Sequence, residues 1–385
     1  MSTLTAYVHA TIYPVAAPPI YDGIMLVRDG KILAVGGADL GIPDGAELCD
    51  MSGLSVMPGL VDAHSHVGIM GDGEGQAAND SSESAEPVNA KIRVIDSVNP
   101  RQRSFAMARE GGITTSCIIP LGNPIAGLTC VLKTAGDVLD DMVLKNPAGL
   151  KSALGEAPKR SYGQKRGQPP FTRMGIACMV RNFLAQAEEY NRSKAKSGFN
   201  ESLENGAMLF RGEIPLRIHA HRQDDIVTAV RIAEEFGIAY RIEHCTEGHL
   251  VADFLARHRV TAHVGPGLFC RTAQEWANAD ERNAAILEHT GVKVCLITDH
   301  PFLDSRYLMT SAAMVHKYGM SFAGTLRSIT LSPAESLGIE RRVGSLEPGK
   351  DADFVVLSGR PFSYKSVILA TYINGVAVYR RPEQC

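Results

Sequence analysis

Four apolar runs in this chain each stop on residue types that bind metal ions. Leu60–Ala63 leads into His64-Ser65-His66, and Ile214–Ile218 into His219-Ala220-His221. Ala239–Ile242 leads into Glu243-His244-Cys245, and Val292–Ile297 into Thr298-Asp299-His300. Along an extended strand, residues i and i+2 share a face, so His64 and His66 point the same way. One H-x-H alone reads equally well as two unrelated polar residues at a strand terminus. Four apolar runs ending in the same manner predict a parallel barrel, in which all C-terminal strand ends converge on one rim. Imidazoles and one aspartate gathered there form the donor set expected for Zn²⁺ or a similar ion.

The chain between these runs alternates strands and helices at about 20–30 residues per repeat, the spacing of βα units. Strands are expected at Ile113–Pro120, Leu128–Thr134, Leu150–Leu154 and Val260–Val264, and helices at Asn99–Glu110, Arg173–Tyr190, Asp225–Phe236, His249–His258 and Glu281–His289. Ser332-Pro333-Ala334-Glu335 has the form of a capping box that starts another helix. Both ends read differently. Leu4–Ala10, Gly23–Val27 and Ile32–Val35 are strand-like, as are Ala352–Leu357 and Ser366–Val378, with turns at Asp29-Gly30 and Asn374-Gly375. The expected architecture is therefore α/β: a parallel (β/α)₈ barrel over 56–343, the spacing alone also allowing a doubly wound sheet, with a small β-sandwich composed of 1–55 and 344–385. Gly71–Asn89 and Glu156–Phe171 read as long loops, and Asn191–Met208 as a polar surface insertion.

A chain of 385 residues suits one large barrel and a smaller module. A net charge of −3 gives no electrostatic reason to expect nucleic acid or an anionic membrane as partner. No basic leader and no apolar span of membrane length is present, so a cytoplasmic location is expected. The eight cysteines include no C-x-x-C pair, and most read as small buried hydrophobes, Cys270 and Cys385 being counted with the rest.

The expected metal residues are His64, His66, His219, His244 and Asp299, with Glu156 after the run Gly149–Leu154 as a bridging carboxylate. Lys133, if carboxylated, is a rival bridge. Asp299 is the candidate for proton transfer and His244 for contact with the substrate's oxygen. His221, His263 and His300 are placed at the same mouth as substrate groups. The basic stretch Lys159–Arg173 offers Arg160 and Arg173 as a clamp for a substrate carboxylate. Its alternative is a solvated basic loop. His9, His249, His258, His289 and His316 are read as structural.

The segment Val56-Met57-Pro58-Gly59-Leu60-Val61-Asp62-Ala63-His64-Ser65-His66 resembles the opening signature of the amidohydrolase superfamily. Gly344-Ser345-Leu346-Glu347-Pro348-Gly349-Lys350-Asp351-Ala352-Asp353 resembles its closing one. Arg217–His221, Ile242–His244 and Thr298–Pro301 are similar to the imidazolonepropionase-related branch. The resemblance covers nearly the whole chain. It implies a distorted (β/α)₈ TIM barrel with a β-sandwich of N- and C-terminal segments, one or two divalent ions, and hydrolysis of an amide, cyclic amide or peptide-like C–N bond in a small molecule by metal-activated water. Glu156 in Leu154-Gly155-Glu156 is similar to the metal-site glutamate of sugar-phosphate deacetylase-like members. Hydrolytic deamination of a heterocycle is the alternative chemistry. Deaminase relatives place an acid three residues after the third histidine, where this chain has Arg222. A non-catalytic scaffold on the same fold is the alternative from another class, although such relatives lose ligands that this chain keeps. An assembly of identical copies stays open.

Overall fold

A computed structural model describes residues 3–71, 75–268 and 271–382, with the side chains of 76 and 194–197 left out of the description. Cys270 and Cys385 lie outside the described residues.

The first strands are β1 (Thr5–Ile12), β2 (Ile20–Arg28), β3 (Lys31–Gly36), β4 (Glu47–Asp50) and β5 (Ser55–Pro58). The barrel strands follow as β6 (Leu60–Ser65), β7 (Ile113–Ile118), β8 (Ile125–Lys133), β9 (Val143–Ala153), β10 (Leu216–Ala220), β11 (Tyr240–His244), β12 (Thr261–Val264) and β13 (Lys293–Leu296). The chain returns to the first sheet with β14 (Phe354–Leu357), β15 (Ile368–Ile373) and β16 (Val376–Arg380). The terminal sheet runs β16-β15-β14-β5-β1-β2-β3, with β4 beside β1. Its core gathers Tyr7, Ile12, Met25, Ile32, Val56, Phe354 and Tyr372. The predicted Asn374-Gly375 turn has φ of 50° and 73°, the left-handed pair that a two-residue hairpin requires.

The second sheet runs β6 through β13 in sequence order. It closes beyond β13, where the Asp299 N–H donates to His64 O and the His66 N–H to His300 O, each at 3.0 Å. This is a distorted TIM barrel, and the distortion is specific: β8 runs antiparallel to both β7 and β9, while the other barrel pairs are parallel. The barrel strands are almost wholly buried, β6, β7 and β8 along their whole length. The helices close the outer layer, with Ile176, Val180 and Leu184, then Ile226, Val230 and Ala233, packed in the main core.

Several sequence expectations need correction. The expected loop after β9 is helical, with Glu156–Pro158 running into a π-helical turn, Lys159–Gln164. The expected insertion at 191–208 is the end of a long helix, Arg173–Ser197, followed by a second helix, Glu201–Phe210. That second helix buries Ala207 and Leu209, so its polar residues form only its outer face. The capping box does not form. The last barrel helix spans Leu331–Leu337 and begins two residues earlier, while Glu335 is drawn to Arg327 and Lys293.

The direction of β8 decides the fate of Lys133. In an antiparallel strand the C-terminal residue lies at the opposite end from the rim. Lys133 pairs in register with Thr115, near the start of β7. There its Nζ donates to Asp353 Oδ1 at 2.8 Å and Asn374 Oδ1 at 2.7 Å, and lies 2.7 Å from Asp351 Oδ2. The closing Lys350-Asp351-Ala352-Asp353 motif thus clamps the terminal sheet to the barrel floor, and Lys133 bridges no ions. No described helix is long and apolar enough to cross a membrane. Of the cysteines among the described residues, Cys117, Cys130, Cys245 and Cys295 are free and buried, as expected, whereas Cys178 is exposed.

Candidate metal centre and active site

The strand ends bring His64, His66, His219, His221, His244 and Asp299 into one cluster. Asp299 Oδ1 lies 3.3 Å from His64 Nε2 and 3.1 Å from His66 Nε2. The rings of His219, His221 and His244 have centroids 4.4–4.6 Å apart. Two overlapping sets place one ligand atom per residue within 4.8 Å of the others: His64, His244 and Asp299; and His219, His221 and His244. Neither set includes Glu156.

The outer ring nitrogens show how the cluster is aimed. His64 Nδ1 donates to Glu243 Oε2 at 2.7 Å, His66 Nδ1 to Ile119 O at 2.5 Å, and His244 Nδ1 to Gly265 O at 2.9 Å. His221 Nδ1 is hydrogen-bonded to Thr246 Oγ1 at 2.8 Å. A proton fixed on Nδ1 leaves a lone pair on Nε2. The buried Nε2 atoms of His64 and His219 have no hydrogen-bond partner among the described residues. Buried polar atoms without partners are rare and ask for an explanation. An ion coordinated by these atoms supplies it, so the residues fit a divalent metal.

Beneath the imidazoles lies a charged brace. Arg217, only 1% exposed, donates from Nε to Glu243 Oε1 at 2.7 Å, from Nη1 to Cys117 Sγ at 2.7 Å and from Nη2 to Ala63 O at 2.6 Å. Glu243 Oε2 receives both His64 Nδ1 and, at 3.0 Å, His263 Nδ1. Burial opposes the charge on Glu243, but Arg217 and His263 hold it well below the usual carboxylate range. Burial likewise acts against the charge on Asp299, yet His244, His64 and His66 keep that carboxyl low. Asp62 accepts from the Thr298 hydroxyl and backbone N–H and so ties β6 to the chain beyond β13.

Three left-handed residues mark the rim: His244 at φ 70°, Cys245 at 47° and Asp299 at 53°. Histidine and aspartate enter this region more readily than most residues. Here two ligand-type side chains occupy backbone positions that turn the chain out of the sheet.

A cavity of about 480 Å³ opens over the cluster, lined by His219, His221, His244 and Asp299 below and by Glu156, Arg160, Glu275 and Trp276 above. Of the residues expected at the mouth, His221 and Arg160 line it. His263 does not. It pairs in register with Glu243, one residue short of the rim, and its Nε2 accepts the Ser336 hydroxyl at 2.7 Å. His300 is also turned away, and its Nδ1 accepts the Ser305 N–H at 3.2 Å. Arg173 faces a neighbouring cavity and grips Asp225 through Nε at 2.9 and 3.0 Å. Both corrections for the histidines follow from local register, and that for Arg173 from a buried acid on the next helix.

Sequence reasoning missed Lys151. Its side chain is buried on β9, its Nζ has no hydrogen-bond partner among the described residues, and burial lowers its pKa to about 8. Its charge is felt by His219, His221 and His244. A lysine inside the apolar run Gly149–Leu154 was the available signal. Glu275 was missed as well. Its Oε1 accepts the Glu156 N–H at 2.5 Å, an approach that a side chain at Gly155 would block, since a Cβ there would stand 2.2 Å from that oxygen.

Burial, with Glu156 and Asp225 adding to it, pushes Glu275 from 4.5 up to about 7. The folded state then holds this proton more tightly than the unfolded chain does, so stability falls as pH rises from 4.5 through 7. Glu275→Gln is expected to remove a loss on the order of 2–3 kcal/mol across that interval. Urea unfolding of both proteins at pH 5 and pH 8 checks it; parallel pH dependence in the two would refute the assignment.

The Amidohydrolase family model matches residues 141–378. The solved structure of an amidohydrolase from Thermotoga maritima MSB8 superposes with a TM-score of 0.94 at 40% identity, covering 98% of this chain and 100% of that one. Amidohydrolase tasK of Hapsidospora irregularis is 26% identical over 89% of this chain, which spans 38% of the length of that relative. Imidazolonepropionase of Erwinia tasmaniensis is 24% identical over 87% of this chain and 86% of its own.

Proposed function

We infer the function from one premise, that the chain belongs to the amidohydrolase superfamily, in its imidazolonepropionase-related branch. On that premise it is a metal-dependent hydrolase that cleaves a C–N bond in an amide, cyclic amide or peptide-like small molecule. The observation that carries this reading is the convergence of Nε2 atoms from fixed imidazoles on Asp299 beneath an open cavity. His64 and Asp299, with His66 beside Asp299, would hold one ion, and His219 and His221 a second, His244 standing within reach of both groups. The nitrogen-rich set with one carboxylate suits Zn²⁺. A divalent ion, when bound, lowers the pKa of water and polarises a carbonyl.

The remaining work falls to the chain. Asp299, kept ionised, takes a proton from the attacking water and hands it to the leaving nitrogen, so that an acid and an amine are released. Trp276 and Phe302 narrow the cavity and limit bulk water. If two ions bind, a further carboxylate ligand would come from Glu156, or from Lys151, whose ammonium would lose one proton to expose the Nζ lone pair and a second as Nζ adds CO₂ to give the carbamate. The position that would serve a deaminase is taken by Arg222, which turns outward to Asp224 at 3.0 Å and supports the amide reading. We also keep a cytoplasmic location within this proposal.

Protein purified from zinc-supplemented medium is expected to carry one or two equivalents of metal. It should hydrolyse members of a panel of cyclic imides, N-acyl amino acids and dipeptides. Chelation should remove that activity and zinc restore it. Absence of bound metal by elemental analysis would overturn the reading. Intact-mass analysis, seeking the gain of one CO₂ lost in Lys151→Ala, decides between these two carboxylates.

A further inference from the structure

The helix Leu331–Leu337 packs across the floor of the barrel, at the opposite end from the imidazoles. Its Ala334 and Leu337 join Val61, Ala63, Cys117 and Ile297 in one apolar cluster. On its outer side Glu335 pairs with Arg327 at 2.9 Å and Lys293 at 2.7 Å, which fixes how the helix is turned. Ser336 is thereby held, buried, with its hydroxyl 2.7 Å from the fully buried His263 Nε2. Arg241, at the floor end of β11, reaches the same hydroxyl.

The place of each proton in this chain is dictated. Arg241 Nε donates to Ser336 Oγ at 3.0 Å, and a guanidinium has no acceptor to offer in return. The hydroxyl hydrogen of Ser336 therefore goes to His263 Nε2, which must present a lone pair. Burial pushes the pKa of His263 from 6.5 down to about 4, so the ring is neutral and holds a single proton. That proton sits on Nδ1 and is donated to Glu243 Oε2 at 3.0 Å. The same oxygen accepts His64 Nδ1 at 2.7 Å, and Arg217 Nε covers Oε1. The opposite tautomer lies close at hand. Arg217 Nη2 is 2.9 Å from His263 Nδ1 and would stabilise a lone pair there. That lone pair would also face Glu243 Oε2, repel the carboxylate and draw it off His64. Ser336 decides between the two forms.

We propose, resting on the metal-centre reading for the final step alone, that Ser336 and Arg241 are positioning residues for the ion at the far rim. By fixing the tautomer of His263 they keep Glu243 supplied with donors, and Glu243 keeps His64 Nε2 aimed at the metal.

The test is two-bond ¹H–¹⁵N correlation NMR of zinc-loaded protein labelled in its histidine rings, joined to competitive zinc titration. The His263 signals are identified by their loss in His263→Gln. In the wild type, Nδ1 of His263 should carry the proton. Ser336→Ala should move the proton to Nε2 in most molecules and weaken zinc binding about tenfold, the lower end of what an outer partner of a ligand is worth. Ser336→Cys, whose thiol is a weak donor, should fall between the two. Arg241→Met leaves the hydroxyl in place but frees it to turn. It should shift the tautomer in the same direction, and it carries the test if Ser336→Ala does not fold. Leu337→Ala, in the same helix, is the control: it should lower stability while both readouts stay as in the wild type. The proposal is overturned by a wild-type proton on Nε2, by a tautomer that neither Ser336→Ala nor Arg241→Met moves, or by a shifted tautomer with unchanged zinc affinity. Loss of zinc affinity in Leu337→Ala equal to that in Ser336→Ala would overturn it too. A tautomer that depends on Ser336, in protein that takes up no zinc, would uphold the chain of hydrogen bonds and count against the metal-centre reading alone.

Discussion

Arg217→Met is expected to cost about 3–5 kcal/mol of stability, because it takes the guanidinium from Glu243 and leaves that carboxylate in the barrel interior with only two imidazoles as partners. The guanidinium also satisfies Cys117 Sγ and Ala63 O, and both lose a donor. The damage should reach the metal centre through a defined route. Glu243 fixes the proton on His64 Nδ1, and a Glu243 without its guanidinium would draw a proton or shift, so His64 loses its orientation. Loss of such outer partners commonly weakens metal binding by about 10–100-fold. The double variant Arg217→Met/Glu243→Leu separates the two effects. Replacing a whole buried ion pair with apolar residues recovers much of the stability, yet His64 then has no acceptor, so zinc affinity should stay low. Urea denaturation and competitive zinc titration of the four proteins in the cycle measure both quantities. A double variant with normal zinc affinity would remove Glu243 from its orienting role.

Asp299→Asn should reduce kcat by about a thousandfold, within the range for loss of a general acid–base group, while leaving the fold in place. Asparagine tolerates the left-handed backbone that Asp299 adopts at φ 53°. The backbone N–H that donates to His64 O is unaffected. What disappears is the ionised oxygen that lies 3.1 Å from His66 Nε2 and 3.3 Å from His64 Nε2. Steady-state kinetics with any substrate from the panel, beside zinc content and urea denaturation, give the comparison. Turnover near that of the wild type would exclude Asp299 as the proton carrier.

The rim of the barrel was legible because imidazoles and one aspartate recur where apolar runs stop, at His64, His66, His219, His244 and Asp299, whereas the polar residues within the strands, such as Asp62, Lys151 and Arg217, carry no such pattern. Strand direction was not legible. β8 is as apolar as its neighbours, and apolar pattern carries no sign of which way a buried strand runs, so Lys133 was assigned to the wrong end of the barrel. Exact register was equally hidden. His263 and His244 each sit near the end of a strand, but a single position in the ladder separates a buried partner of Glu243 from a lining residue of the cavity. Arg173 failed for another reason: its partner Asp225 lies on the helix after β10, and long-range pairing of charges leaves no local trace. Lys151 was visible as a charge within an apolar run. Only the finding that its buried Nζ makes no hydrogen bond among the described residues gives that charge meaning.

The left-handed turns at His244, Cys245 and Asp299 restrict what evolution or a designer can place there. A β-branched residue at any of them would meet steric conflict of about 1–2 kcal/mol before its chemistry mattered. Glycine would relax the conformation but donate nothing to an ion. The backbone itself therefore filters the alphabet at 244 and 299 toward glycine, short polar side chains and imidazole, so a library built at these two sites should be enriched among its folded members in Gly, His, Asp and Asn, and of these only the last three offer a donor to an ion.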